Sequence, residues 1–581
     1  MIGDAIEPRP PRRLHVLLLV LLPAVVQAAV VAAFGTRMLM WDELFYVRFF
    51  RAVGQGRPWA SWILAQHNEH RIVWTKLLFF ANAGFLGWNP IVDMYISAAT
   101  TALIAWGIWK LYRAAGSAHP AYFVPVALLM CSLAQYMNIL YGLMTCHYFT
   151  MAGIVWAIVF LQRTTWRALT AAIACALAAL VSTLNAIVIA PIGLLVLVMT
   201  RQKPSRWIVW SAAMLAWGYA YFRGYQTPQP APVIDWSAPA TMVRAADTFL
   251  VNLGSPLSAA DIFWARALGV LTIGALVLLW LCVWRFGKRE SHAGLVALSL
   301  VAVGCAAAVA LGRSSAGSRT ALESKYVAYA TFALAAPYLG LACLPGLRAR
   351  SGILGGMTAV IGVGLLAANL SGFEQTQAWH RRQLRALYAL QTIETQPDEA
   401  LAPLFGAAQV AQVRDAAVYL RATRLGPFHD VVDVLMAPRP AEGLPTAAIT
   451  AASPVRAHLL CPVDTLVDVG VPVSRPPGEA AAGGLDVSVT AAGRIVGRTR
   501  IDARDVQALR YIRVDLDRPL RDCRGADLVV EVTSDAADTG RGIHAWTYPF
   551  YYAGVTRQGG RPIERNGLGV AFNAFSYGLI E

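Results

Sequence analysis

Hydrophobic and polar positions alternate along this chain in long blocks. From residue 14 to residue 370, apolar runs of about 20 residues, enough to cross a bilayer as helices, recur between short polar breaks. The first run covers 14 to 34, and the others lie near 91 to 112, 119 to 137, 143 to 161, 168 to 184, 186 to 200, 207 to 222, 263 to 284, 292 to 311, 326 to 344 and 352 to 370. The pattern predicts a polytopic α-helical membrane protein with eleven spans. The run "ALTAAIACALAALVSTLNAIVIAPIGLLVLVM" counts as two short spans broken near Asn185. The stretch "IVWTKLLFFANAGFLGW", 72 to 88, is read as a helix lying in or re-entering the outer interface, because a span there would invert every later basic cluster.

Those clusters set the orientation. Arg9, Arg12 and Arg13 precede the first run. Lys110 with Arg113, Arg163 with Arg167, Arg201 with Lys203 and Arg206, Arg285 with Lys288 and Arg289, and Arg348 with Arg350 then fall on the same side as the N-terminus. Positive charge collects on the cytoplasmic side, so everything after residue 371 is expected outside, which in a bacterium is the periplasm. The length of the first run favours a retained anchor over a cleaved signal peptide. Gly352, Gly355 and Gly356, within the last run, are expected to let helices pack closely.

After Ser371 the pattern changes. "EQTQAWHRRQLRALYALQTIET" and "AAQVAQVRDAAVYLRATRLGPF" have helical period, the second stopped by Gly426 and Pro427. From about 453 onward, "LDVSVT", "RIVGRTRI", "YIRVDL" and "ADLVVEV" alternate with turn residues and predict a β-sandwich or jelly roll. The expected organisation is a membrane domain at 1–370 with an outer loop at 35–90, a helical linker at 371–440 and a β domain at 441–581. In "GIHAWTYPFYYAG", His544, Trp546, Tyr548 and Phe550 share strand spacing, a row that could stack on sugar rings or fill a core.

Composition agrees with a lipid environment: 57% of the residues are hydrophobic and 14% charged. The net charge of +15 is accounted for by the cytoplasmic clusters, so nucleic acid is not expected as a partner. There is no Walker loop and no G-x-G-x-x-G between a strand and a helix. Six of the eight cysteines fall in spans, where they pack as small apolar residues. Cys461 and Cys523 fall outside, where an oxidising compartment would allow a disulfide between them.

The outer loop holds the unusual chemistry. "MWDELFYVRFF" places Asp42 and Glu43 just past the first span, and "AQHNEHRIVW" adds His67, Asn68, Glu69, His70 and Arg71, followed by Lys76. Charge pressed against a bilayer surface usually has a task. An Asp-Glu pair after a helix can also be a simple cap. His67 and His70 could share a helix face as metal ligands, but no further ligands cluster with them and no metal is assigned. A second cluster, "LGRSSAGSRTALESKYVAY", brings Arg313, Arg319 and Lys325 into one outer loop against the positive-inside trend. Three cations there would answer a bound anion or pair with the acids of the first loop. Acids on one loop and cations on another suit a phosphorylated, membrane-borne substrate.

At this point the layout resembles the GT-C superfamily of integral-membrane glycosyltransferases, which use polyprenyl-phosphate-linked sugars. Its protein O-mannosyltransferases and lipid A aminoarabinose transferases carry an Asp-Glu pair early in the first outer loop, the position "WDELFY" occupies here, followed by interfacial helices. The resemblance implies that Asp42 is the catalytic base and Glu43 its acidic neighbour; Glu69, outside the matched pattern, is a further candidate acid from its place in the same loop. On the same resemblance the loop of Arg313, Arg319 and Lys325 would hold the donor phosphate; His67, Asn68, His70, Arg71 and Lys76 are candidate substrate-lining residues from their place in the outer loop. "QHNEHR" and "GRSSAGSRTALESKY" look like segments of bacterial membrane proteins related to these transferases and lie outside the mannosyltransferase pattern. The implied reaction is an inverting transfer of a sugar from a polyprenyl-phosphate donor to an acceptor hydroxyl on a glycan, lipid or protein, at the outer face of a bacterial inner membrane. No cofactor is implied, and a divalent metal is left open because related transferases with pyrophosphate donors use one. A glycan polymerase or ligase using pyrophosphate donors, or a lipid-linked sugar flippase or transporter, would share the gross layout.

Overall fold

A computed structural model of the chain describes residues 13–116, 119–227, 238–344, 350–391, 393, 398–429, 444–461, 465–475, 483–506, 510–523, 526–535, 543–549, 556–563, 566–568 and 570–574. Arg9, Arg12, Arg348 and Phe550 lie outside them. The chain divides into two compact units, Met1–Gln383 and Leu384–Glu581.

The first unit is helical. Among the described residues, seven helical segments are long and apolar enough to cross a membrane: Arg13–Phe34, Pro90–Ala115, Pro120–Ile139, Gly142–Leu161, Ile262–Arg285, Arg289–Ala316 and Arg350–Leu384. Helices also stand at the other four expected positions, but they do not meet the same test. Trp166–Leu180 and Leu184–Met199 are short, with the chain turning through Val181, Ser182 and Thr183 between them, close to the expected break at Asn185. Pro204–Phe222 and Ser324–Ala342 have 19 residues each but are diluted by polar and aromatic side chains. Ser324–Ala342 is almost wholly buried by other helices, so it presents little surface to lipid. The helix Val73–Leu86 has 14 residues, about 21 Å, which is too short for a span.

The core joins Ile104, Ile108, Ile154, Ile158, Leu298 and Leu339 with many neighbours from six or more helices. The tightest crossing packs Pro239–Gly254 against Ile262–Arg285: a Cβ on Gly254 would lie 2.0 Å from the Ala265 carbonyl oxygen, and one on Gly269 would lie 2.1 Å from that of Leu250. Only glycine allows this approach. The expectation for Gly352, Gly355 and Gly356 is not met, since a Cβ on any of them would find nothing within 4 Å. Small residues mark close packing only where another backbone comes near, which composition does not reveal.

The second unit is strand-rich. Helices Asp398–Phe405 and Val410–Thr423 precede the strands. The latter helix ends with Arg424 in the left-handed region, at φ 53°, so arginine rather than Gly426 makes the stop. The strands are β1 (Leu444–Pro445), β2 (Val455–Leu460), β3 (Leu466–Ser474), β4 (Gly484–Ala491), β5 (Arg494–Asp502), β6 (Arg510–Leu520), β7 (Asp527–Ser534), β8 (His544–Pro549), β9 (Thr556–Gln558), β10 (Arg561–Pro562), β11 (Asn566–Leu568) and β12 (Ala571–Ala574). They pair antiparallel along one path, β1-β8-β3-β6-β5-β4-β7-β2-β9-β10, with β11 on β8 and β12 on β3. The result is a half-barrel, an open path in which β1-β8-β3-β6 and β5-β4-β7-β2-β9-β10 join through the Gly497–Leu516 pair. Alternation places Val487, Val489, Val530 and Val532 inside, with Val469, Val471 and Val514. Cys461 and Cys523 form the expected disulfide. In β8, His544 Nδ1 meets the Thr446 carbonyl oxygen at 2.7 Å and Trp546 Nε1 donates to Ser474 Oγ at 2.7 Å, so both rings already have partners in the protein.

Candidate functional site

Past Phe34 the chain turns through Gly35 to Trp41, whose φ of 36° is unusual for a bulky residue, and begins the short helix Asp42–Phe45. Such backbone outliers persist only where the surroundings hold them. Here Trp41 is fixed by Trp379, at 5.1 Å between ring centroids, and by Tyr141 at 6.0 Å. The turn separates the two acids. Glu43 points inward and is 1% exposed. Its Oε2 accepts from the Met40 amide at 2.9 Å and its Oε1 from the Leu143 amide at 3.0 Å. Burial holds its carboxyl well above the usual carboxylate range, against those two bonds, and the neighbouring Asp93 and Asp42 add to the rise. Gly142 is required beside it, since a Cβ there would lie 2.8 Å from Glu43 Oε1 and 3.4 Å from Asp93 Oδ2. Glu43 thus ties the loop after Arg13–Phe34 to the segment before Gly142–Leu161 and has no open face toward a substrate.

Asp42 points the other way, with 37% of its side chain exposed and its Oδ2 lying 3.5 Å from His67 Nε2. His67 is stacked on Tyr46, at 5.6 Å and 28°. Its backbone exchanges two hydrogen bonds with His70, of 2.7 and 2.8 Å, closing a tight turn with Asn68 at φ 49°. This is a turn and not one face of a helix, so the helical arrangement considered for a metal site is absent. No cluster of three or more metal-ligating side chains occurs among the described residues. His70 Nδ1 accepts from the Leu184 amide at 3.1 Å. Burial draws its imidazole down to about 4, with His67 and Arg313 adding to the fall and Glu69 opposing it.

The other members of the sequence motif hold this turn in place. Arg71 donates to the carbonyl oxygens of Leu64 at 2.6 Å and Tyr221 at 2.7 Å, and lies over the Tyr221 ring at 5.1 Å. Lys76 is buried and donates to the carbonyl oxygens of Ala65 and Ile63. Burial, with Arg71 nearby, lowers its ammonium to about 7. Lys76, His67, Tyr46 and Arg48 line a cavity of about 200 Å³. Asn68 is exposed at the tip of the turn.

Glu69, within the same turn, reaches the second loop: its Oε1 lies 3.3 Å from Arg313 Nη2. Arg313 Nε also donates to Tyr326 Oη at 2.9 Å. Lys325 is paired with Glu323 at 2.6 Å. Arg319 is exposed and has no acidic partner among the described residues. Two of the three cations are therefore ion-paired as found, one of them to the acidic loop. The loop is steadied from behind by Ser318 Oγ, which donates to Asp247 Oδ2 at 2.6 Å, while Arg266 grips both oxygens of Asp247 at 2.6 and 2.8 Å. That Arg266 contact holds the Asp247 carboxyl below the usual range.

Sequence reasoning missed Asp93, Asp247 and Tyr46. Asp93 stood in plain view as the only acid in the run from 91 to 112. No family model matches the chain, and no characterised protein matches it closely.

Proposed function

We propose that the chain is a membrane-embedded, inverting glycosyltransferase that takes a sugar from a polyprenyl-phosphate donor. Its acceptor would be a hydroxyl on a cell-envelope glycan, a lipopolysaccharide or a protein, at the outer face of a bacterial inner membrane. On this reading the N-terminus is cytoplasmic and the strand-rich domain periplasmic. The observation that carries it is the turn at 67–70, which touches the exposed carboxylate of Asp42 through His67 and a cation of the distant loop through Glu69.

Asp42, oriented by His67, accepts the proton of the acceptor hydroxyl. The oxygen forms a bond to the anomeric carbon as the bond from that carbon to the phosphate oxygen breaks, inverting the centre. The pair of electrons leaves with the polyprenyl phosphate, which Arg319, Arg313 and Lys325 stabilise without a general acid. Arg313 would keep Glu69 on Nη2 and Tyr326 on Nε and meet the phosphate through Nη1, while for Lys325 the phosphate would compete with Glu323. A transporter would place its charged pairs near the bilayer midplane. Here Asp42 follows one membrane helix, and Arg313 and Lys325 stand at helix ends.

The test is to incubate purified protein in nanodiscs with synthetic polyprenyl-phosphate sugars and membrane extract, and to identify products by mass spectrometry. A sugar added to a single acceptor class, with release of polyprenyl phosphate, is expected. Transfer only from pyrophosphate donors would move the reading to a polymerase or ligase, and donor translocation across liposomes without transfer would move it to a flippase.

A further inference from the structure

The end of the membrane unit opposite the Asp42 turn carries a second concentration of charge. There the start of Arg13–Phe34, the last turns of Pro90–Ala115 and the turn after Gly142–Leu161 enclose a groove of about 960 Å³. One wall is Val16, Leu17 and Val20, and the facing wall is Leu103 and Trp106. Leu17, Leu103 and Trp106 are well exposed. The mouth is basic, with Arg13, Lys110, Arg113 and Arg163 around it. Lys110 lies over Trp106 at 5.0 Å and Arg163 over Phe160 at 5.7 Å. None of the four has an acidic partner among the described residues.

An apolar slot between membrane-crossing helices with cations only at one end is matched by a molecule that is apolar along its length and anionic at its head. We infer that this groove binds an anionic glycerophospholipid, its phosphate among Arg13, Lys110, Arg113 and Arg163 and an acyl chain along Val16, Val20 and Leu103. Its size lies toward the upper end of ordinary small-molecule sites, which run to about 1,000 Å³. Basic pockets between membrane helices recognise acidic headgroups in this way, and the indole of Trp106 suits the level where headgroup meets chain. A zwitterionic lipid brings its own cation into the basic mouth and is disfavoured. The site is independent of the transferase reading.

Full-length protein, delipidated in neutral detergent, would be titrated with phosphatidylglycerol and with phosphatidylcholine, binding being read by native mass spectrometry. Phosphatidylglycerol should bind about tenfold or more tightly than phosphatidylcholine, and Arg113→Gln or Lys110→Gln should each weaken it about fivefold. Arg113→Lys, which keeps the charge, should restore most of the affinity, and this separates recognition from a folding defect. Equal binding of the two lipids, or an unchanged affinity in the Lys110→Gln, Arg113→Gln double variant, would overturn the proposal. Displacement of phosphatidylglycerol by millimolar inorganic phosphate would also overturn it, by showing that the cations recognise a free anion.

Discussion

Glu69 and Arg313 stand 244 residues apart in sequence and meet at 3.3 Å. Both are partly exposed, so the pair alone contributes about 1 kcal/mol or less to stability. Its position is fixed by neighbours: Tyr221 Oη donates to the Glu69 carbonyl oxygen at 3.1 Å, and Arg313 Nε donates to Tyr326 Oη at 2.9 Å. The contact closes the distance between the acidic and the basic loop, and the site depends on it more than the fold does.

Removing either partner should therefore separate stability from activity. Arg313→Gln and Glu69→Gln should each change thermal unfolding by about 1 kcal/mol or less, while transfer falls by about tenfold or more. The double variant should lose less activity than the product of the two single losses, because each already breaks the same contact. Strictly multiplicative losses would show that the residues act separately.

The two adjacent acids should behave oppositely. Asp42→Asn keeps the shape and removes the base, so unfolding should be unchanged and turnover should drop about a hundredfold. Glu43→Ala leaves the Met40 and Leu143 amides without their acceptor, and should destabilise the membrane unit by about 2–4 kcal/mol. Near-normal turnover in Asp42→Asn would pass the base to Glu69.

The strongest sequence signals were the periodic ones. Apolar runs located helices at the expected positions, seven of them, among the described residues, long and apolar enough to cross a membrane, because a span surrounded by lipid and other helices is apolar on all sides; alternation located β4 to β7 to within a few residues, because each strand buries one face. Chemistry was legible in composition and illegible in direction. The dipeptide Asp42-Glu43 reads as a pair of like groups, yet the strained backbone at Trp41 turns one carboxylate into the core and the other outward. The "HNEHR" motif reads as one ligand set, yet its turn gives His67 to Asp42, Glu69 to Arg313 and His70 to the Leu184 amide. Such assignments depend on what long-range packing brings alongside, and spacing carries no record of it.

Cys461 and Cys523 close a loop with a sequence separation of 62 residues. The loop entropy removed from the unfolded chain corresponds to about 4 kcal/mol. Replacing both by serine in the full-length protein should lower the unfolding transition of the strand-rich unit and leave that of the membrane unit in place. Thiol labelling of unreduced protein should find neither sulfur reactive under denaturing conditions. Quantitative labelling of both in protein taken directly from its membrane would refute the bond.

His70 should make the protein acid-sensitive over a defined interval. Its imidazole is drawn from the ordinary value near 6.5 down to about 4 by burial, and the neutral ring accepts from the Leu184 amide. In the unfolded chain the same ring takes a proton near pH 6.5. The unfolded state therefore binds more protons between the two values, and stability contributed by the neutral ring is full above about 6.5 and is lost as pH falls toward 4. Replacing His70 by Asn places an amide oxygen near the position of Nδ1, keeping the acceptor for Leu184 without a titrating group. The unfolding temperature of the wild type in detergent should fall more steeply than that of His70→Asn between pH 6.5 and pH 4.5, and the two curves should run parallel above pH 7. Parallel curves across the whole interval would mean that His70 is as free to protonate in the fold as in the unfolded chain, and the turn at 67–70 would then lack the half-buried neutral histidine that locks it against Leu184.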